Sequence, residues 1–336
     1  MNRTFDIAVI GATGSVGEAL VQLLEEREFP VATLHLLASG ESAGRSLAFN
    51  GKSLRVRDLA SFDFSSVRLA FFAAGSKITA KYAGAASAAG CAVIDLSSAL
   101  PATQAPRVVP EVNPGVLEGL AAPYVLTSPS APSVALAVVL AALPASISVQ
   151  RVTLTACLAV SSRGRDAVAE LARQTAELLN ARPLEPRLFD RQIAFNLLAQ
   201  VEQSDAEGHG ALERQIAEEI KHLLVRPDLP VAVTCVQVPV FFGDSLSVSL
   251  QTASLVDLQQ VYAALEAAPA LELVEHDDYP TAVGDALGQD VVYVGRVRTG
   301  LADSTELNLW ITSDNVRKGA ALNAVQLAEL LIKHYL

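Results

Sequence analysis

Near the start of the chain, Gly11-Ala12-Thr13-Gly14-Ser15-Val16-Gly17 follows the apolar run Phe5-Asp6-Ile7-Ala8-Val9-Ile10 and opens an amphipathic stretch over residues 18–26. Glycines between a buried strand and a helix permit a tight turn. They also let backbone N–H groups reach a pyrophosphate at the positive end of the helix. The spacing is G-x-x-G-x-x-G rather than G-x-G-x-x-G, and a tight turn with no ligand is the competing explanation. One strand later, Ala38-Ser39-Gly40-Glu41-Ser42-Ala43-Gly44-Arg45 falls where the adenosine ribose of a dinucleotide would lie. A carboxylate there accepts from a ribose 2′-hydroxyl and repels a 2′-phosphate. If Glu41 faces the ribose, NAD is favoured over NADP; otherwise Glu41 is a solvated loop carboxylate.

Other reactive side chains are sparse. Cys91, Cys157 and Cys235 lie far apart with no C-x-x-C pair, so neither a disulfide framework nor a structural zinc site is expected. Each reads as a small buried hydrophobe. His35, His209, His222, His276 and His334 are scattered without metal-ligand spacing, and no metal is expected.

The elements that must position these groups follow from periodicity. Up to residue 129, short apolar runs (FDIAVIG, TLHLLAS, LAFFAAG, CAVIDLS, YVLTS) alternate with helical segments, the pattern of a parallel α/β domain whose strands are covered on both faces. An apolar helix over about 131–143 enters a second region, 130–315. There the runs RVTLTACLAV, VAVTCVQVPVFF, DSLSVSLQTASL and VYVGRVRT alternate, which predicts a mixed or antiparallel sheet with one face on helices and the other available to a partner. A polar helical insertion is expected over 163–224. Residues 316–336 close the chain as one periodic helix, with Asp314 as its cap.

The 336 residues suit two domains. Lys plus Arg (25) are outnumbered by Asp plus Glu (36), for a formal net charge of −11, which disfavours nucleic acid and anionic membrane surfaces. Apolar residues make up 51% and charged residues 18%, more apolar surface than a monomer needs to bury, so an oligomer interface is expected. The N-terminus runs directly into a strand, and no long apolar span follows. A cytoplasmic protein is expected.

The segments GATGSVG, LLASGESAGR, VVPEVNP, TCVQVPVFFGDS, VVYVGRVR and DNVRKGAALNAVQLAE stand in the order and spacing of the aspartate-semialdehyde dehydrogenase family. The chain resembles that family from about residue 5 to residue 331. The resemblance implies a Rossmann-type nucleotide domain (1–129), an α/β dimerisation domain (130–315) and a C-terminal helix (316–336) that packs back on the first domain. It also implies a homodimer, with a heterodimer with an active paralogue geometrically open. Members of the family use NADPH to reduce β-aspartyl phosphate to the semialdehyde through a thioester. They need a Cys nucleophile, a His acid/base, and arginines for carboxylate and phosphate.

Position by position, the resemblance puts other residues there. Ser128-Pro129-Ser130-Ala131 stands for the family's Asn-Pro-Asn-Cys, so Ala131 occupies the nucleophile position. Ser130 and Ser133 would need a general base to replace it, and capping the helix is their simpler role. Asp244, in Gly243-Asp244-Ser245, matches the histidine, and Gln237 matches the carboxylate-binding arginine seven positions earlier. An aspartate with its usual pKa is an anion at neutral pH. Glutamine offers neither charge nor a guanidinium fork. Pro101 stands for the phosphate-binding arginine, Leu158 for a glutamine that positions the acyl intermediate, and Glu41 for the arginine that meets the 2′-phosphate.

The family's cofactor scaffold is retained at Gly11, Thr13, Gly14, Ser15, Val16, Gly17, Ser39, Asn323 and Gln326, with Asn113, Lys318 and Gly319 beside it. Glu218 and Lys221 lie in the helix where the family keeps substrate-contacting Glu and Lys. The expectation is a family fold without the parent reaction, binding NAD, NADP or neither. The alternative is an NAD-linked oxidoreductase acting on another aldehyde or oxo substrate by direct hydride transfer, with Asp244 as base.

Overall fold

The computed structural model describes residues 3–275 and 277–336; His276 lies outside the described residues. The chain divides into two compact units, Met1–Ser130 with Ala320–Leu336, and Ala131–Gly319.

In the first unit, near-continuous apolar runs form strands buried on both faces. β1 (Phe5–Ile10) leads into α1 (Ser15–Glu26) and β2 (Val31–Ala38). A hairpin of β3 (Ser46–Phe49) and β4 (Lys52–Arg55) follows, and then the two-residue β5 (Arg57–Asp58). The hairpin turns on Asn50-Gly51, both at positive φ, a pairing that short hairpins favour. β6 (Leu69–Phe72), α2 (Ser76–Ala88), β7 (Ala92–Asp95) and β8 (Val125–Thr127) complete the sheet. Its order is β5-β2-β1-β6-β7-β8, all parallel. The chain reverses its direction of travel across the sheet between β1 and β6, the switch point beside which open α/β sheets bind ligands at their strand C-termini.

The second unit opens with α3 (Ala131–Ala142), whose residues from Pro132 to Leu140 are all buried. A helix apolar on every side must be surrounded. It packs on α5 (Ala211–Leu223) and on a six-stranded sheet. That sheet contains β9 (Val149–Leu158), β10 (Val231–Gln237), β11 (Asp244–Thr252), β12 (Leu271–Leu273), β13 (Val292–Thr299) and β14 (Glu306–Ser313). α4 (Arg165–Leu179) and α6 (Leu258–Glu266) flank it in sequence. The order is β10-β9-β11-β14-β13-β12. β10 with β9 and β12 with β13 are parallel, and the other pairs antiparallel, so the sheet is mixed. Along β9, Val152, Leu154, Ala156 and Leu158 are buried while Thr153, Thr155 and Cys157 face a more open side.

The helical insertion expected over 163–224 consists of two helices, α4 ending at Leu179 and α5 beginning at Ala211, with an irregular stretch between them. Pro183, Pro186, Gly208 and Gly210 interrupt helix between them. Buried side chains of α4 hold this irregular stretch instead. Gln174 Oε1 accepts from Ile193 N and Ala194 N, and Glu170 Oε1 accepts from Arg187 N. The C-terminal segment is likewise not one helix. A wide π-helical turn, Arg317–Leu322, precedes α7 (Asn323–His334), while Asp314 Oδ1 accepts from Val316 N and Arg317 N as a cap.

α7 joins the first unit's core. Val325, Leu327 and Leu331 cluster with Leu20, Leu23 and Leu24 of α1, and Arg27 bridges to Glu329 at 2.7 Å. No helix among the described residues is long and apolar enough to cross a membrane.

Candidate functional site

At the C-terminal end of β1, Gly11 takes φ +85 and lies against β6's exit. A Cβ on it would sit 2.7 Å from Ala73 C. Gly17 meets the same limit, since a Cβ there would approach Gly11 O to 2.1 Å. Both glycines therefore have a packing reason to be glycine. Gly14 has none: its φ is −79, and a Cβ on it would meet nothing closer than Gly11 O at 3.4 Å. Gly14 also caps α1 without any side-chain hydrogen bond. The first N–H groups of that helix, on Ser15, Val16 and Gly17, have no intrahelical acceptor and present the positive end of the helix dipole. Bare backbone donors behind a glycine with no steric reason to be one are what a pyrophosphate requires, so the loop fits a dinucleotide.

Beside the loop is a cavity of about 300 Å³. Gly11, Thr13 and Ser39 of the expected set line it, together with Gly40, Ser42, Asp58, Leu59, Ala60, Ile78 and Tyr82. Glu41 is exposed and outside the lining, as the solvated-carboxylate alternative has it, and the carboxylate in the wall is Asp58. Ala38 pairs with Asp58 across β2 and β5, which brings a residue twenty positions from Ala38 to the same sheet edge. The D-L sequence after a two-residue strand gave little warning of this.

The amide nitrogens of Asn323 and Gln326 are engaged by the protein itself, while Asn323 Oδ1 and Gln326 Oε1 are buried without a hydrogen-bond partner among the described residues. The fully buried Asn323 donates from Nδ2 to Ser128 Oγ (2.8 Å) and Val108 O (3.2 Å), and Gln326 Nε2 donates to Glu111 Oε1 (3.0 Å). That amide nitrogen is spent inside the first unit. It ties α7 to β8 and the segment before it. Asn113 does similar work, accepting from Val109 N and donating to Arg107 O. Asp95 accepts from Ser97 N and Leu100 N, fixing the loop on which Pro101 is exposed.

In the second unit, the end of β9 gathers Leu158, Gln237 and Asp244. Leu158 stands opposite Gln237 in register, and Gln237 Nε2 donates to Leu158 O at 2.7 Å. On β9's other side, Asp244 Oδ1 accepts from Ala159 N at 2.9 Å. Gln237 Oε1 and Asp244 Oδ2 are buried without a hydrogen-bond partner among the described residues.

Burial pushes Asp244 up to about 7; the Ala159 bond opposes this, and the nearby Asp314 adds to it. The expectation of an aspartate with its usual pKa is corrected, since desolvation favours the protonated form. The cause is desolvation, which a sequence does not display. Chemically, the pair offers acceptors, no positive charge, and one carboxyl able to give or take a proton.

Ala131 opens α3, close enough to Gly319 that a Cβ on Gly319 would lie 2.4 Å from Ala131's Cβ. Ser133 is buried within α3, and neither it nor Ser130 is without a partner. Lys318 is almost wholly buried and also engaged. Glu218 and Lys221 pair with each other at 2.8 Å, with Glu218 mostly exposed.

All three cysteines are free. Burial pushes the Cys91 and Cys235 thiols up to about 12, and Cys157 is raised by burial and by Asp244. None of them is poised as a thiolate. His222 Nδ1 bonds to Glu218 O, and His35 packs on Phe62. Among the described residues no group of three or more His, Cys, Asp or Glu could hold a metal ion.

Comparison with known proteins agrees with this division. Residues 6–120 match the semialdehyde dehydrogenase NAD binding domain, and residues 140–318 match the semialdehyde dehydrogenase dimerisation domain. The chain is 62% identical to a USG-1 protein homolog of Pseudomonas aeruginosa, covering all of both chains. It is 41% identical to aspartate-semialdehyde dehydrogenase 2 of Vibrio cholerae, again over the full length of both. The solved structure of a probable aspartate-semialdehyde dehydrogenase from Pseudomonas aeruginosa superposes with a TM-score of 0.97 at 62% identity, over 99% of this chain and 100% of that one. With both domains matched in order and relatives covered from end to end, this chain belongs to the aspartate-semialdehyde dehydrogenase family.

Proposed function

We propose that this protein binds an NAD(P) dinucleotide through its first unit and does not catalyse the reductive dephosphorylation that the family is named for. The observation that carries the second half is Ala131. A methyl group stands at the position which the family resemblance gives to the nucleophile, and no methyl group forms a thioester. The three raised cysteines support the reading, because none supplies a substitute thiolate. Gln237 and Asp244 add to it: where the parent chemistry calls for a guanidinium and an imidazole, this chain has an amide and a buried carboxyl. Dinucleotide binding is supported by Gly14 and the uncapped start of α1. When bound, the cofactor would supply hydride chemistry. The chain's own contribution is to hold it by backbone donors.

A homodimer through the open face of the second sheet fits the dimerisation domain matched there. The same face would suit an active paralogue as partner, and the compartment we assign is the cytoplasm.

Asp244 favours a second reading. A carboxyl that titrates at about 7 is matched to proton transfer at neutral pH. It would take the proton from the hydroxyl of an alcohol or aldehyde hydrate while a hydride passes from the carbon bearing that hydroxyl to the oxidised dinucleotide.

The test is to titrate the purified protein with NADH and NADPH by fluorescence, then assay phosphate-dependent oxidation of aspartate semialdehyde. We expect binding without turnover. Robust turnover would refute the reading. Phosphate-independent NADH formation from an aldehyde panel, with a pH break near 7 that Asp244→Asn removes, would move the assignment to the second reading.

A further inference from the structure

The wall of the first unit's cavity contains one charged side chain, Asp58. It stands at the end of β5, where pairing with Ala38 brings it level with the end of β2. In parallel sheets of this kind the adenosine half of a dinucleotide lies beside that strand end. Asp58 is held firmly. Its Oδ1 accepts from Ala60 N at 3.1 Å as the cap of the short helical turn Leu59–Ser61, while Oδ2 accepts from no described residue. Leu59, Ile78 and Tyr82 provide apolar walls, and Ser39 and Ser42 line the same side as the loop.

Among the described residues no Lys or Arg lines the cavity. Arg57 is drawn onto the Phe62 ring at 5.3 Å and Lys81 onto the Tyr82 ring at 4.9 Å. Glu41, the acidic residue nearer in sequence to the end of β2, is exposed and outside the wall.

From this placement we infer that Asp58, not Glu41, determines which dinucleotide the chain accepts: its carboxylate receives a hydrogen bond from a ribose 2′-hydroxyl and excludes a 2′-phosphate. The inference rests on the dinucleotide reading above. A carboxylate fixed in a cavity wall has no counter-cation there to offset a doubly charged phosphate, and one unfavourable contact of this kind is worth about tenfold or more in affinity.

The experiment uses the full-length protein and measures dissociation constants for NADH and NADPH by fluorescence. It compares wild type with Asp58→Asn, Asp58→Ser and Glu41→Gln. Asn and Ser both retain a side-chain oxygen to cap Ala60 N, so the local turn survives, and a thermal melt on each variant checks this. We expect wild type to favour NADH by about tenfold or more. Both Asp58 variants should narrow that ratio by a similar factor, chiefly by tightening NADPH, while Glu41→Gln leaves it within about twofold. An unchanged ratio in both Asp58 variants, a wild-type preference for NADPH, or an equal effect from Glu41→Gln would each overturn the assignment while leaving dinucleotide binding intact. Failure of wild type to bind either nucleotide would instead defeat the dinucleotide reading, and this inference with it.

Discussion

The Gly11–Gly17 loop and the end of β9 both lie where a strand finishes and a functional group would have to be held, yet they treat their polar atoms in opposite ways. At the loop, α1 starts without a side-chain cap and Gly14 keeps its backbone bare, although nothing in the fold would collide with a side chain there. At the end of β9, the side chains of Gln237 and Asp244 turn onto the strand's own backbone, one donating to Leu158 O and the other accepting from Ala159 N. The first region withholds donors from the protein. The second spends one polar atom of each side chain on the strand and leaves Gln237 Oε1 and Asp244 Oδ2 buried without a partner among the described residues. The loop holds out backbone donors, whereas the β9 end holds out side-chain oxygens.

Restoring the missing chemistry would break this contrast most visibly. Ala131→Cys combined with Asp244→His is expected to leave phosphate-dependent turnover below detection, since Pro101 and Gln237 still provide no cation for the substrate's phosphate and carboxylate. Measurable rescue in the same spectrophotometric assay would mean that the rest of the pocket had stayed competent.

The loop offers a sharper separation of packing from ligand. Gly17→Ala should destabilise the first unit by about 3 kcal/mol or more, because the new Cβ has backbone on every near side. Gly14→Ala should shift stability by no more than about 1 kcal/mol while lowering NADH affinity severalfold. If Gly14→Ala binds NADH as wild type does, the loop's glycines are there for packing. For scale, Leu327→Ala in the fully buried face of α7 is expected to cost about 2–4 kcal/mol in denaturant titration.

The β9 end is tested by pH. Asp244 is raised from 3.8 to about 7 in the folded chain, so the folded state holds its proton more tightly than the unfolded state does. That contribution to stability is fully present below about pH 4 and is lost as pH rises through 7. Asp244→Asn keeps an acceptor for Ala159 N and does not titrate. Its melting temperature relative to wild type should therefore climb between pH 4 and pH 7 and level off above, an effect of roughly 1–4 kcal/mol. A gap that stays flat across this range would show that the carboxyl is not raised.

The smallest effect is expected at Glu218→Ala, which breaks the ion pair with Lys221. Glu218's side chain is 60% exposed, and the change should lie within about 0.5 kcal/mol by chemical denaturation.

Much of this was legible residue by residue. Continuous apolar runs such as Leu69–Phe72 read as strands covered on both faces, and the alternation along β9 as a sheet with one buried side. The helical pattern over 163–224 located α4 and α5 but not the break between them, because periodicity reports which residues are apolar, while prolines and buried side chains such as Gln174 decide where a helix stops. Asn50-Gly51 was a readable hairpin signal that the alternation of longer runs obscured.

What this amino-acid sequence determined alone was covalent: a methyl at 131, an amide at 237, glycine at 14, and apolar patterns that favour the two six-stranded sheets. Tertiary structure decided which carboxylate lines the cavity, that the amide nitrogen of Asn323 is engaged by Ser128 and Val108, and that Asp244 holds its proton near neutrality. Those properties depend on burial and on pairings between residues distant in the chain. A side chain's identity is local, whereas its charge state and its neighbours are set by everything folded around it.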